Sequence, residues 1–154
     1  MPIVSFLIVS VLALLILLPQ LASAELAVVD IALAEAVQDR NPVDPITPPA
    51  VCEKDKAPDS TVPVVDSMLV PQIFFWTRIA SDSDATVLHS WHHKENDQWV
   101  LVAEVDFQIH PSSGYRVWSS KLLDPALHTG EWMIVVAPAD QPDHVLCITR
   151  FTVK

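Results

Sequence analysis

The run Trp99-Val100-Leu101-Val102-Ala103-Glu104-Val105-Asp106-Phe107-Gln108-Ile109 decides the fold class. Its alternate positions Trp99, Leu101, Ala103, Val105, Phe107 and Ile109 are apolar, and Glu104, Asp106 and Gln108 stand between them. Successive side chains of a strand point to opposite faces, so this period of two predicts a strand with one face in a core and one in water. On either side, Gln72–Ile79, Thr86–His93, Tyr115–Lys121, Trp132–Ala137 and Val145–Val153 read as further strands. Turn signals separate them: Ser81-Asp82-Ser83-Asp84, Glu95-Asn96-Asp97, Pro111-Ser112-Ser113-Gly114, Thr129-Gly130 and Asp140-Gln141-Pro142-Asp143. Short strands at this spacing, with no helical pattern between them, predict an antiparallel sandwich or barrel.

Upstream the pattern is less decided. Leu26, Val29, Leu33 and Val37 would line a helix face, while Ala27, Val29, Ile31 and Leu33 alternate as in a strand. From Asn41 to Pro71 the chain carries seven of its thirteen prolines (residues 42, 45, 48, 49, 58, 63 and 71) and reads as a stiff surface connection. A structureless loop of that length is uncommon in one domain, so a short strand near Val62–Val65 or Met68–Val70 is expected to interrupt it.

The first 24 residues carry no charge, and Ile3–Leu18 is apolar apart from Ser5 and Ser10. Pro19 ends the run, and Ala22-Ser23-Ala24 has the small-x-small form of a cleavage site. The expectation is an apolar export helix at 1–24, cleaved as a signal peptide, with an uncleaved membrane anchor as competitor because no Lys or Arg precedes it. Either reading places one domain, residues 25–154, outside the cytoplasm. The formal charge of −10 falls on that domain, which argues against nucleic acid or an anionic membrane surface as partner.

His89-Ser90-Trp91, Tyr115-Arg116-Val117-Trp118-Ser119-Ser120-Lys121-Leu122, Gly130-Glu131-Trp132, Val145-Leu146 and Phe151-Thr152-Val153 together resemble the family of unknown function numbered 2914. Ile31–Val37 followed by Asp39-Arg40-Asn41-Pro42 resembles that family's opening strand and Arg-Glu-Pro turn, with Asn41 in place of Glu. The resemblance implies a β-rich extracytoplasmic module. It favours a strand at Leu26–Val37 and hence about seven strands in an immunoglobulin-like sandwich. Its family-like residues here are His89, Trp91, Arg116, Trp118, Ser119, Lys121 and Trp132.

Candidate chemistry is sparse. Cys52 and Cys147 are the only thiols, and an even pair in an oxidising compartment suggests a disulfide; the alternative is two thiols too distant to bond. His89, His92 and His93 form a cluster, but on a strand His89 and His93 share a face while His92 takes the other. A metal held by His89 and His93 is therefore the weaker reading, and a structural His89 hydrogen-bonded beside Trp91 the stronger. Ser119-Ser120-Lys121 lacks the Ser-x-x-Lys register, and no Gly-x-Ser-x-Gly elbow exists. Arg116, Trp118 and Ser120 share a face, where Arg116 is expected to stack on an indole. The expectation is a non-enzymatic module without a cofactor, meeting an envelope protein or glycan. A His-cluster metal protein and a hydrolase with a dispersed site are its rivals.

Overall fold

The computed structural model of the chain describes residues 25–154. The expected export helix at 1–24 lies outside the described residues. Nine strands are present: β1 (Leu26–Gln38), β2 (Asn41–Pro45), β3 (Val64–Val65), β4 (Gln72–Ser81), β5 (Ala85–Glu95), β6 (Gln98–Ile109), β7 (Ser112–Leu122), β8 (Gly130–Pro138) and β9 (Cys147–Val153). They form a four-stranded sheet, β2-β1-β4-β7, and a five-stranded sheet, β3-β9-β8-β5-β6. All pairings are antiparallel except the short β3–β9 pair. Among the described residues no helix is long and apolar enough to cross a membrane.

The two sheets close on one core. Ile73, Phe75 and Ile79 of β4 and Val117 of β7 meet Val87 and Trp91 of β5, Trp132, Ile134 and Val136 of β8, and Phe151 and Val153 of β9. Large aromatic side chains lie at the centre of this core, and they pack edge-on or stacked: Phe75 and Phe151 each lie edge-to-face with Trp91, and Phe151 stacks on Trp132.

Three expectations need correction. The strand count is nine because the proline-rich connection contributes two short strands, β2 and β3. Pro42 and Pro45 are tolerated in β2 because β2 is an edge strand, where a missing N–H costs no ladder bond. Of the two short-strand candidates, Val64–Val65 pairs with β9, whereas Met68 and Leu69 lie in an exposed turn. The third correction concerns the opening run itself. Trp91 faces Ala103 but His92 faces Leu101, so Val102 is an extra residue and the alternation flips there. Ala103, Val105, Phe107 and Ile109 stay on the inner face. Trp99 and Leu101 turn outward beside Lys94 and His92, and the Lys94 ammonium and Arg150 guanidinium sit over the Trp99 ring at 5.9 and 5.5 Å.

The ambiguous Leu26–Val37 is a strand, and it bends. β1 pairs with β4 from Leu26 to Ala34, with a bulge at Val29, and then continues with β2 as a hairpin. The hairpin turns on Asp39 and Arg40, both at positive φ (49° and 64°), the backbone of a two-residue type I′ turn. Its tip lies over the outer face of the four-stranded sheet: the Trp76 indole N–H donates to the Arg40 carbonyl at 2.9 Å. That cover explains why Trp76, on the outward face of β4, is only 4% exposed.

Candidate functional site

Three of the family-like residues, His89, Trp91 and Ser119, converge inside the core. His89 of β5 is fully buried between the rings of Phe75 and Phe107, with centroids 4.8 and 4.7 Å away. Its Nδ1 is 2.9 Å from Ser119 Oγ of β7, and its Nε2 is 3.1 Å from Thr77 Oγ1 of β4. The Trp91 indole N–H also donates to Ser119 Oγ, at 2.9 Å. One order of protons gives every donor an acceptor. Trp91 gives to Ser119, whose hydroxyl gives to Nδ1; Nε2–H gives to Thr77, whose hydroxyl points to the Val117 carbonyl at 3.5 Å. A second ring proton would leave Ser119 facing two donors and its own hydroxyl without an acceptor. Burial lowers the His89 pKa from 6.5 to about 3, in agreement with a neutral ring.

Ser119 and His89 thus stand at the separation of a nucleophile and its base. Catalysis also needs a substrate atom beside the hydroxyl, and both side chains are buried. The sequence pointed to Ser119 through Lys121 and through the family likeness, and not through His89. Its relation to His89 crosses from one sheet to the other, and no local spacing encodes it.

His93 does not join His89. The two lie four residues apart on one strand, a span of about 13 Å, and His93 Nε2–H donates to the Thr129 carbonyl at 3.0 Å while its ring stacks on Trp132 at 4.6 Å. Gly130 is shaped by this contact: at φ +120° it tolerates the backbone, and a Cβ there would stand 3.3 Å from His93 Nε2. Trp132 donates to the His128 carbonyl at 2.8 Å, and the Lys121 ammonium lies 5.9 Å from its ring centre. Burial, then the nearby Lys121 charge, lowers the His128 pKa. Among the described residues no three His, Cys, Asp or Glu side chains converge as metal ligands.

Cys52 and Cys147 are bonded, with Cα atoms 5.1 Å apart, tying the proline-rich connection to β9. At the end of the sandwich away from Trp132 lies an open groove of about 950 Å³, floored by Leu26, Ala85 and Pro138 and rimmed by Glu25, Asp84 and Asp140. Arg116 and Trp118 project from the outer face of β7, opposite Arg78 and Trp76 of β4. The expected stacking of Arg116 on an indole is not formed. The guanidinium groups over rings are Arg40, on Tyr115 at 5.7 Å, and Arg150, because the hairpin tip brings Arg40 across to β7.

His89, Trp91 and Ser119 are thus joined in one buried network, and a family model matches the segment that holds them. Residues 84–153 match the DUF2914 family, described as a protein of unknown function. The DUF2914 segment covers β5 to β9, and therefore holds His89, Trp91, Ser119 and Trp132. The likeness drawn from Ile31–Val37 and the Arg40-Asn41-Pro42 turn lies outside the matched residues. No curated protein matches the chain. Among solved structures it is similar to a Niemann-Pick type C2 protein from Japanese carpenter ant, at 10% identity and a TM-score of 0.48, over 86% of this chain and 96% of that one. A Bifidobacterium adolescentis GH3 beta-glucosidase is similar at 11% identity and a TM-score of 0.39, over 84% of this chain and 17% of that one. At these TM-scores neither likeness bears on what the chain does.

Proposed function

We propose that this chain is a non-enzymatic β-sandwich module that works outside the cytoplasm, at the cell envelope, by binding a protein or glycan. The observation that carries the reading is the sealed Ser119–His89 pair, whose nucleophile–base geometry is spent on joining two sheets. The Cys52–Cys147 bond supports an oxidising compartment. In this reading residues 25–154 form the exported domain, in an immunoglobulin-like arrangement, and 1–24 its signal peptide or anchor. The Glu25 backbone N–H donates to the Asp82 carboxylate at 3.1 Å. Cleavage after Ala24 would place a new α-ammonium against that carboxylate, turning a hydrogen bond into an ion pair.

Fractionation with peptide mapping tests the reading. The expected product is an extracytoplasmic chain beginning at Glu25, with a Cys52–Cys147 linked peptide in non-reducing digests. A reduced, full-length cytoplasmic chain would overturn it. The hydrolase rival is met by a panel of chromogenic esters, phosphoesters and glycosides. Turnover that disappears in Ser119→Ala while the fold survives would replace the binding reading.

A further inference from the structure

Two of the four arginines of this acidic chain share one outer face, and a third reaches its edge. Arg78 of β4 and Arg116 of β7 are register partners on that face. Residues directly opposite across an antiparallel pair have Cβ atoms about 4.5–5.5 Å apart, and like charges there are destabilising. Arg40, at the hairpin tip, reaches the same strand edge: its Nη2 donates to the Arg116 carbonyl at 3.3 Å. A fold that needed only solubility would not set guanidinium groups against one another on a domain whose net charge is −10.

Their hydrogen-bonding capacity is largely unused. Asp30 pairs with Arg78 at 3.7 Å, and the Arg78 Nε–H, which is buried beneath the exposed end of the guanidinium, has no partner. Asp30 and Glu35 on β1, Asp39 at the turn and Asp44 on β2 are the carboxylates on the surrounding elements. Among the described residues Arg40 and Arg116 nevertheless form no ion pair. The arrangement is also held in place. Arg40 is fixed by a positive-φ turn whose carbonyl is tied to Trp76. The Arg78 stem passes over Gly114, where any Cβ would stand 2.9 Å from Arg78 Cγ and Cδ. Beside Arg116, on the same face, Trp118 leaves 37% of its surface in water.

A planar guanidinium fork matches a carboxylate, and an exposed indole matches the apolar C–H face of a pyranose ring. A sugar that carries both features is a uronic acid. We propose that the face formed by Arg40, Arg78, Arg116 and Trp118 binds a uronate-bearing glycan, with the guanidinium groups on the carboxylates and Trp118 under a sugar ring. The assignment rests on the binding-module reading and names the ligand class and the surface.

The test is calorimetric titration of the exported domain, disulfide intact, with an oligogalacturonate, with a neutral galactose oligomer of the same length, and with inorganic phosphate. The oligogalacturonate is expected to bind and to weaken as salt rises, with the neutral oligomer binding at least about tenfold less tightly. Arg78→Gln, Arg116→Gln and Trp118→Ala should each weaken it by about tenfold or more. Arg116→Gln should at the same time raise the melting temperature, because it removes the cross-strand repulsion, so lost binding in that variant is separable from lost folding. Absence of oligogalacturonate binding, equal binding of the neutral oligomer, or unchanged affinity in both Gln variants would overturn the proposal. So would phosphate binding as tightly as the oligomer with Trp118→Ala indifferent, which would mark a bare anion site. None of these failures touches the export and disulfide mapping, which decides the module reading by itself.

Discussion

The two faces of β7 treat polar groups in opposite ways. Inward, Ser119 hands every proton on to an acceptor, linking Trp91 and His89 across the core. Outward, one residue away in each direction, Trp118 is partly bare and Ser120 reaches only the exposed Gln72 amide. Arg116, two residues further back, opposes another arginine. A satisfied buried network contributes rigidity and a unique packing. The exposed cluster makes few bonds within the chain and, in the proposed reading, meets a ligand. The contrast sorts the family-like run Arg116–Lys121 into a half that holds the sandwich and a half that is free to bind.

The largest expected effect on the inner face is acid destabilisation. The unfolded chain protonates His89 near pH 6.5, and the folded chain only near 3. Between those values the unfolded state holds the extra proton. Stability from this group is therefore complete above pH 6.5, falls as pH drops through that value, and stops falling near 3. The total is roughly 4–5 kcal/mol. Urea unfolding at several pH values should show this slope in the wild type and lose it in His89→Gln; equal slopes would place His89 in contact with water.

Trp91→Ala should cost about 3–5 kcal/mol, through lost core volume and the loss of one of the two partners of Ser119. Its denaturant midpoint would shift at nearly constant slope, and a shift below about 1 kcal/mol would break the inner half of the comparison. Ser119→Ala should cost about 1–3 kcal/mol, because the Trp91 N–H and His89 Nδ1 both lose their partner. Ser120→Ala, one position along on the other face, should be close to neutral; equal losses at the two serines would erase the distinction between faces. The smallest effect has the opposite sign. Arg116→Gln should stabilise by about 0.2–1 kcal/mol by relieving the Arg78 pairing, read as a rise in melting temperature.

Much of the sandwich was legible because half-buried strands announce themselves by alternation, and charged or Gly- and Pro-containing turns separate them. The Asn96-Asp97 turn, at φ 50° and 61°, falls where Glu95-Asn96-Asp97 was read as a break. What alternation cannot carry is a slip within a strand. The extra residue at Val102 left the pattern of Trp99–Ile109 apolar on both sides, so nothing in the letters marked where inside became outside. β2 was hidden for another reason: two prolines in five residues contradict a central strand, and only its edge position permits it. For the candidate site, burial of Trp91, Trp132 and His89 followed from their apolar neighbours. The Ser119–His89 bond and the Arg40–Arg78–Arg116 face did not, because each depends on which strands become neighbours. Sequence separations of 30 between His89 and Ser119, and 76 between Arg40 and Arg116, carry no such information.

The Cys52–Cys147 bond has a consequence for a molecule exposed to proteases. It encloses everything between those residues in a covalent ring spanning 95 positions. A run of six exposed residues, from Lys54 to Asp59, lies inside that ring. A peptidase that cuts there severs the backbone but releases no fragment: the N-terminal piece, with β1 and β2, stays tied through sulfur to β9. A nicked molecule would run as one band without reductant and as two with it, and would keep its sheets paired between the two events.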